Sequence, residues 1–401
     1  MSVEGETPEL EGIPQREIAE AVRGREQEWV DAVRELARLE SPSTDPRRQG
    51  PVFDWLVSAL GEMGFRTRRF KGRSTGGILL ARVRDRSRGR LLPTQLLVGH
   101  TDTVWPVGTL SEMPVTIEDG RLRGPGVFDM KAGLVSMIVA LRALRELGLD
   151  PSVAPVLFIN SDEEIGSPES DRYLRWVAAR VSRALVLEPA LEPVGRLKTA
   201  RKGYGRFTIR IHGKSAHSGL APQEGASAIE ELASVVQRLH ALTDYQRGIV
   251  VNVGVVEGGT RSNVVAARAE AQVDLRVATV ADGEEIEERV RSLEPLTAGC
   301  SLEVVGGMER PPMERNPQNR VLWHAASSLG AAMGLELEEG RSGGGSDGNI
   351  TNLYTPTLDG LGAVGDGAHA LHEYVDIERS LERCALLAGL LMLPETPAYE
   401  G

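Results

Sequence analysis

Strand-like apolar runs alternate with helical segments over the first half of this 401-residue chain, and this alternation constrains the fold more than any other feature. The runs lie at 77–83, 94–99, 154–160 and 184–187, and the predicted helices at 14–40, 51–63, 132–147 and about 169–180. Such alternation favours an α/β layer built on a largely parallel sheet. In sheets of this kind, ligands bind beyond the carboxyl ends of the strands.

The pattern changes after about residue 202. A half-exposed strand at 205–212 is followed by further helices and strands in β-α-β-β-α-β order, which matches the ferredoxin-like unit. The sequence therefore predicts an α/β protein with a discontinuous domain, residues 1–200 and 315–401, whose mixed, mostly parallel sheet is flanked by helices. A ferredoxin-like α+β domain, residues 201–314, is inserted into it.

Composition excludes several classes of function. A formal net charge of −11 argues against nucleic acid as the main partner. No apolar run is long enough to span a bilayer, and the polar N-terminus lacks the features of a secretory signal. The two cysteines, Cys300 and Cys384, are far apart, as is usual in a reducing compartment. We therefore expect a cytoplasmic protein without a membrane partner.

The run Leu97-Val98-Gly99-His100-Thr101-Asp102 carries a histidine to the end of an apolar strand, with an aspartate two residues later. Residues i and i+2 of a strand share a face. Asp102 can therefore bind one ring nitrogen of His100 and leave the other to ligate a metal, which is a common arrangement in zinc sites.

Further candidate ligands follow other apolar runs or lie in glycine-rich turns: Asp129, Glu163, Glu164, Glu188, and either His369 or His372. Each has an ordinary alternative, such as a helix-capping aspartate, a solvated acidic turn or a surface histidine. Imidazole and carboxylate ligands suit dications that acidify water and polarise a carbonyl. Taken together, these residues predict a two-metal hydrolase.

Several motifs occur in a characteristic order: GHTDTVWPVGTL, GPGVFDMKAGL, SDEEIGS, LEPA, GKSAHSG, GGGSDGN and AHALHE. In these motifs the chain resembles the di-zinc aminoacylase, acetylornithine deacetylase, succinyl-diaminopimelate desuccinylase and glutamate carboxypeptidase family, from about residue 25 to 395. Trp105-Pro106, Arg201-Lys202-Gly203 and the triple glycine are most similar to the glutamate carboxypeptidase branch. Met130 departs from that branch, which often carries an aspartate there.

The resemblance implies roles for the candidate residues. His100 and Glu188 would bind one metal, Glu164 and His369 the other, and Asp129 would bridge them. Glu163 would be the general base, taking a proton from water and passing it to the leaving amine. Asp102, which orients His100, would be a further catalytic residue. His369 is preferred to His372 because relatives keep a glutamate four residues after the ligand, here Glu373. A cis Asp129–Met130 peptide bond is also implied.

The resemblance also implies roles outside the ligand set. The histidine equivalent to His217 reaches across a dimer in relatives and stabilises the oxyanion. Arg276 and Asn263 are candidate contacts for a substrate carboxylate. The sequence itself predicts that the loop containing Gly344, Gly345 and Ser346 offers free backbone N–H groups to an anion at a helix start. No Gly-Lys-Ser/Thr follows this loop, so we reject a nucleotide site.

The resulting prediction is a homodimer with two Zn²⁺ per subunit, or Co²⁺ or Mn²⁺ in their place. It would cleave an amide bond next to a free carboxylate in N-acyl amino acids, dipeptides or folate-like conjugates. One alternative is an N-acyl amino acid deacylase of the acetylornithine type, and another is an inactive metal-binding scaffold. A serine hydrolase is the last alternative, and we disfavour it beside the two-metal interpretation.

Overall fold

The structure is a computed structural model that describes residues 12–83, 93–192 and 194–395. These residues form two compact units. The first unit contains the described residues up to Ala200, Arg315–Ser342 and those from Ser346 onward. The second contains Arg201–Glu314 and Gly343–Gly345. In the described part of the chain, no helix has both the length and the apolar character needed to cross a membrane.

The elements are numbered in chain order. Those before the second unit are α1 Gln15–Arg23, α2 Glu26–Arg38, α3 Pro46–Glu62, β1 Phe65–Phe70, β2 Ile78–Val83, β3 Thr94–His100, β4 Thr116–Glu118, β5 Arg121–Arg123, α4 Ala132–Glu146, β6 Ala154–Asn160, α5 Asp171–Ala178, β7 Ala184–Val186 and β8 Leu197–Arg201. Those of the second unit are β9 Gly203–His212, α6 Ala228–His240, β10 Val250–Gly258, β11 Arg268–Val277, α7 Val280–Arg291 and β12 Ser301–Arg310. The remainder are α8 Pro317–Ala332, β13 Glu339–Ser342, α9 Asp347–Thr351, β14 Thr357–Leu358, β15 Gly365–Asp366, β16 Tyr374–Asp376 and α10 Ile377–Leu391.

The main sheet of the first unit has the strand order β1-β2-β6-β3-β7-β14. Strands β6, β3, β7 and β14 pair in parallel, whereas β1 and β2 are antiparallel additions at one side. The sheet is therefore mixed and mostly parallel, as the sequence predicted. Since β3, β6 and β7 are parallel neighbours, their carboxyl ends lie at one edge.

Helices α4 and α10 form the centre of the larger hydrophobic core. From Ala132 to Leu144 almost every side chain of α4 is buried, which is expected of a helix that is apolar on all sides. Two glycines bring backbone close to the end of β7: a Cβ at Gly133 or at Gly362 would lie 2.2 Å from the carbonyl oxygen of Leu187. This close packing fixes the backbone that leads directly into Glu188.

The prediction of one helix over 14–40 is wrong, because the segment forms two helices. Helix α1 ends at Arg23 and α2 begins at Glu26. Arg25 leaves helical geometry, with φ −106° and ψ 16°, and glycine at position 24 has a low helix propensity. The Arg25 guanidinium binds Glu28 and Glu146, so the break has side-chain partners of its own.

The second unit is an antiparallel sheet with two helices. Its strand order is β10-β11-β9-β12, and its elements follow one another as β-α-β-β-α-β. Strand β9 alternates buried and exposed residues along its length, as expected when one face of a sheet covers a core. This unit has the predicted ferredoxin-like architecture, with its own hydrophobic core.

Candidate metal centre

Three parallel strands deliver acidic and imidazole side chains to one edge of the main sheet. His100 is the last residue of β3, and Glu163 and Glu164 begin the short helical turn that follows β6. Glu188 lies two residues beyond the end of β7. Adjacent parallel strands end at the same edge, so strand pairing alone brings these three segments together.

Two further candidate ligands come from irregular segments. Asp129 lies in the turn Val127–Lys131 just before α4, where its backbone is non-helical, with φ −113° and ψ 97°. The Asp129–Met130 peptide bond is cis, as the resemblance implied. His369 lies in the loop between β15 and β16 and has a positive φ of 61°.

The carboxylate of Asp129 lies between two histidines. Its Oδ1 is 3.2 Å from His100 Nε2, and its Oδ2 is 3.5 Å from His369 Nε2. Each histidine also faces a glutamate: Glu188 Oε1 is 3.5 Å from His100 Nε2, and Glu164 Oε2 is 3.1 Å from His369 Nε2. The five side chains, called the ligand cluster below, are arranged so that they could hold two ions with Asp129 between them.

Burial and the close approach of charged groups together set the electrostatics of the ligand cluster. Burial opposes protonation of His100, but hydrogen bonds to its carboxylate neighbours raise its pKa well above the ordinary value. The carboxylates of Asp129 and Glu164 raise the pKa of His369 to about 11. Burial, and then the charge of Asp129, raise the pKa of Glu164 to about 7. Three carboxylates therefore lie close together in the ligand cluster, which favours the binding of cations.

One oxygen of the ligand cluster supports a metal more directly than the charges do. Glu164 Oε1 is buried and has no hydrogen-bond partner among the described residues. Burying such an atom without a partner is costly, and a carboxylate oxygen beside imidazole is a preferred donor for borderline dications. The residues present therefore fit a pair of dications. The His369 side chain is 50% exposed, so the cluster is open to solvent there.

Asp102 lies beside the ligand cluster with more partners than the sequence suggested. Its backbone carbonyl lies 2.9 Å from His100 Nδ1, while its carboxylate oxygen lies 3.4 Å from the same nitrogen. The carboxylate also accepts hydrogen bonds from the amides of Glu163 and Glu164, at 3.3 and 3.2 Å. Asp102 therefore orients both the imidazole and the turn that carries the two glutamates.

The Glu163 carboxylate lies close to His100 and Glu188. Its carboxylate belongs to a group with His100 and Glu188 in which the potential ligand atoms lie within 4.8 Å of one another. A carboxylate at this distance can hold a proton beside the reacting atoms. The position of Glu163 is compatible with a general base, and equally with a ligand of the metal at His100 and Glu188.

Two neighbours of this site were missed by sequence reasoning. Ser43 donates a 2.7 Å hydrogen bond to the Asp102 carboxylate from a distant segment of the chain. Lys131 is 2% exposed, and its ammonium donates to the carbonyl oxygen of Leu39 at 2.9 Å. Burial lowers the pKa of Lys131 to about 8. Lys131 could have been suspected from its place two residues after Asp129, but nothing local marks Ser43.

The remaining predicted residues, except Ser346, belong to the second unit and are described there. His217 and Asn263 are exposed and lie in paired segments, where the Ser218 amide donates to the Asn263 carbonyl at 3.1 Å. The Arg276 guanidinium donates to both oxygens of Asp274, at 2.8 and 3.1 Å, and lies over the ring of Tyr204. Arg276 thus already has a carboxylate partner, with which a substrate carboxylate would compete.

The glycine-rich loop before α9 is shared between the two units. In the second unit, Arg201 donates to the carbonyl oxygens of Gly344 and Gly345. In the first unit, Ser346 caps α9 as expected of a helix start. The Ser346 amide, however, donates to Asn349 Oδ1 at 2.8 Å in a capping box. This amide is therefore not one of the free donors that the sequence suggested.

Comparison with known proteins identifies the family of this chain. The profile of Peptidase family M20/M25/M40 matches residues 96–393. The chain is 29% identical to carboxypeptidase G2 of Pseudomonas sp. (strain RS-16) over 374 residues, covering 90% of this chain and 88% of the relative. It is 28% identical to succinyl-diaminopimelate desuccinylase of Rhodospirillum centenum (strain ATCC 51521 / SW) over 392 residues, covering 90% and 96%.

A solved structure supports the same fold. The Bacillus subtilis YXEP protein, described as a dinuclear metal binding peptidase from the M20 family, aligns with a TM-score of 0.70 at 17% identity. The alignment covers 92% of this chain and 98% of that structure. The family resemblance read from the motifs is confirmed. The chain belongs to the M20/M25/M40 peptidase family and is a hydrolase of peptide or amide bonds.

Proposed function

We propose that this protein is a two-zinc hydrolase that releases an amino acid with a free α-carboxylate from an N-acyl amino acid, a dipeptide or a folate-like conjugate. The observation that carries the proposal is the position of Asp129 between two histidines, because its two oxygens face His100 and His369 separately. A scaffold protein has no need of this symmetric arrangement beside a further carboxylate, Glu163.

The residues present would hold the two ions as follows. His100 and Glu188 supply donors for one ion, Glu164 and His369 for the other, and Asp129 for both. Imidazole and carboxylate donors suit Zn²⁺, while Co²⁺ and Mn²⁺ can use the same set. Two bound dications would acidify water and polarise the carbonyl of the scissile amide.

In the proposed reaction, the chain's own residues move the protons. Glu163 accepts a proton from the attacking water, whose oxygen forms a bond to the acyl carbon. When the carbon–nitrogen bond breaks, Glu163 returns that proton to the leaving amine. Asp102 contributes by holding the amide of Glu163 and the ring of His100 in place. The products are a carboxylic acid and an amine.

The proposed substrate class is argued from two residues of the second unit and from the similarity of the chain to a carboxypeptidase. Carboxypeptidase G2, to which the chain is 29% identical, is by its name a carboxypeptidase. Arg276 is our candidate for the substrate carboxylate and Asn263 for a further polar contact, because guanidinium groups bind carboxylates with two parallel hydrogen bonds. We further propose that the second unit mediates a homodimer and that His217 acts on the oxyanion, with Gly344, Gly345 and Ser346 contributing to the substrate site.

Kinetics on paired substrates test the proposal. We expect kcat/KM to be higher for N-acyl glutamates and folate-like conjugates than for N-acetylornithine. The reverse order would favour a deacylase, the second candidate, which the 28% identity to a desuccinylase supports. Absence of turnover on every N-acyl amino acid by protein shown to contain two metals would contradict the hydrolase. Light scattering at working concentration tests the dimer.

A further inference from the structure

The carboxylate of Glu373, which is not part of the ligand cluster, accepts hydrogen bonds from backbone amides at and just before Asp129. Glu373 lies four residues after His369 and is 1% exposed. Its Oε1 accepts hydrogen bonds from the amides of Phe128 and Asp129, at 2.8 and 3.1 Å. Its Oε2 accepts from the amide of Gly126 at 2.9 Å and from the indole nitrogen of Trp105 at 2.8 Å. Four N–H donors thus converge on one buried carboxylate.

These hydrogen bonds join three segments that are far apart in sequence. Trp105 follows the strand end that supplies His100 and Asp102. The amides belong to the turn that supplies Asp129, and Glu373 itself belongs to the segment that supplies His369. Hydrogen bonds to an ionised carboxylate are stronger than those between neutral groups. The Glu373 side chain therefore links the three chain segments that carry His100, Asp129 and His369.

The position of Asp129 makes this tie important. Its two oxygens are directed at different histidines, so a small rotation of its backbone would withdraw one of them. The amide of Asp129 is itself one of the donors held by Glu373. We infer that Glu373, fixed by Trp105, is a positioning residue that holds the Asp129 turn against the His369 segment and thereby sets the affinity for the ion bound by Asp129, Glu164 and His369.

This inference rests on the proposed two-metal function, but it is tested by metal binding rather than by turnover. In Glu373→Gln, an amide NH₂ replaces one oxygen and faces two N–H donors, which repels the turn or leaves both donors unpaired. Calorimetric titration of the chelated protein with zinc should show the affinity of one of the two binding steps lowered by about 10- to 100-fold. The other step should change less, because His100 ends one strand and Glu188 follows another, outside the Asp129 turn whose amides Glu373 holds.

Two further variants separate positioning from general damage. Trp105→Phe removes one of four donors while keeping an aromatic ring, and should weaken the same binding step by only a few-fold. Glu378→Gln removes an equal charge from an exposed position on α10, and both zinc steps should match those of wild type. If Glu373→Gln does not fold, Trp105→Phe alone decides, and unchanged zinc affinity in it would overturn the inference.

A comparison of melting temperatures with and without zinc supplies the remaining measurement. A positioning role predicts that Glu373→Gln lowers the melting temperature of the zinc-loaded protein more than that of the chelated protein, and that excess zinc restores turnover. Equal loss in both states with unaltered zinc affinity would mean a purely structural role and overturn the inference. Weakened zinc binding in protein that hydrolyses no N-acyl amino acid would refute the proposed function while leaving Glu373 as a positioning residue.

Discussion

The ligand cluster of the first unit and the His217–Arg276 region of the second unit carry different kinds of information. In the cluster, two histidines and three carboxylates face one another at 3.1–3.5 Å, and a buried oxygen of Glu164 lacks a partner. In the second unit, His217 and Asn263 are exposed and Arg276 is paired with Asp274. Buried carboxylates and histidines that face one another indicate a cation site even when no ion is present. Side chains that are exposed, or that already have a partner, do not indicate which ligand they would bind.

The largest effect should come from the carboxylate proposed as the base. Glu163→Gln keeps the size of the side chain but removes its capacity to accept a proton. We expect kcat to fall by about 10²- to 10⁴-fold, while elemental analysis still finds two dications per chain. Loss of one dication in this variant would instead assign Glu163 to the ligands of the His100 ion. Full turnover would remove it from the mechanism.

In the second unit, His217→Ala should lower kcat by a hundredfold or more, as is typical when an oxyanion donor is removed. Zinc content should be unchanged, because His217 is not among the residues of the ligand cluster. His212→Ala is the matched control, since His212 is also an exposed histidine of this unit. Near-normal turnover in His217→Ala would remove His217 from the mechanism.

Arg276→Ala sharpens the comparison for substrate binding. Hydrogen bonds to charged groups are worth roughly 1.5–3 kcal/mol, so KM for a substrate with a free carboxylate should rise by about 10- to 100-fold. A substrate whose carboxylate is replaced by an amide should be much less affected. Arg268→Ala, at an exposed position of the same strand, is the control. Equal effects of Arg276→Ala on both substrates would assign Arg276 to the structure of its unit.

The smallest effect concerns a carboxyl pair outside the ligand cluster. Burial, together with a hydrogen bond to Asp366 and the charge of that residue, raises the pKa of Glu192 to about 8. The folded state therefore retains a proton that the unfolded state loses near pH 4.5, and this contribution to stability disappears as pH rises through 8. Glu192→Gln keeps a donor to Asp366, so its melting temperature should depend less on pH between 5 and 9. Parallel profiles for the two proteins would contradict this.

The parts of the fold and site that sequence could predict are those specified locally. The strand 154–160 and the helix beginning at Ala132 were recognisable because their apolar residues are continuous. Three segments of the site followed from strand ends alone, and Asp129 was suggested by its glycine-rich turn before a helix. The choice of His369 over His372 depended on the family resemblance, because that turn has no periodicity. The contacts of Ser43 with Asp102 and of Glu373 with Trp105 join segments remote in sequence, which no local pattern encodes. Gly24 marked the break in the first helix but was outweighed by the apolar spacing around it.

Metal stoichiometry tests the central claim most directly. Elemental analysis of unchelated protein, together with native mass spectrometry before and after chelation, measures the number of dications per chain. Our account predicts two, lost on chelation and regained on addition of zinc, with only one retained tightly in a variant that lacks His369. Protein that contains no stoichiometric transition metal and takes up no added zinc would contradict it.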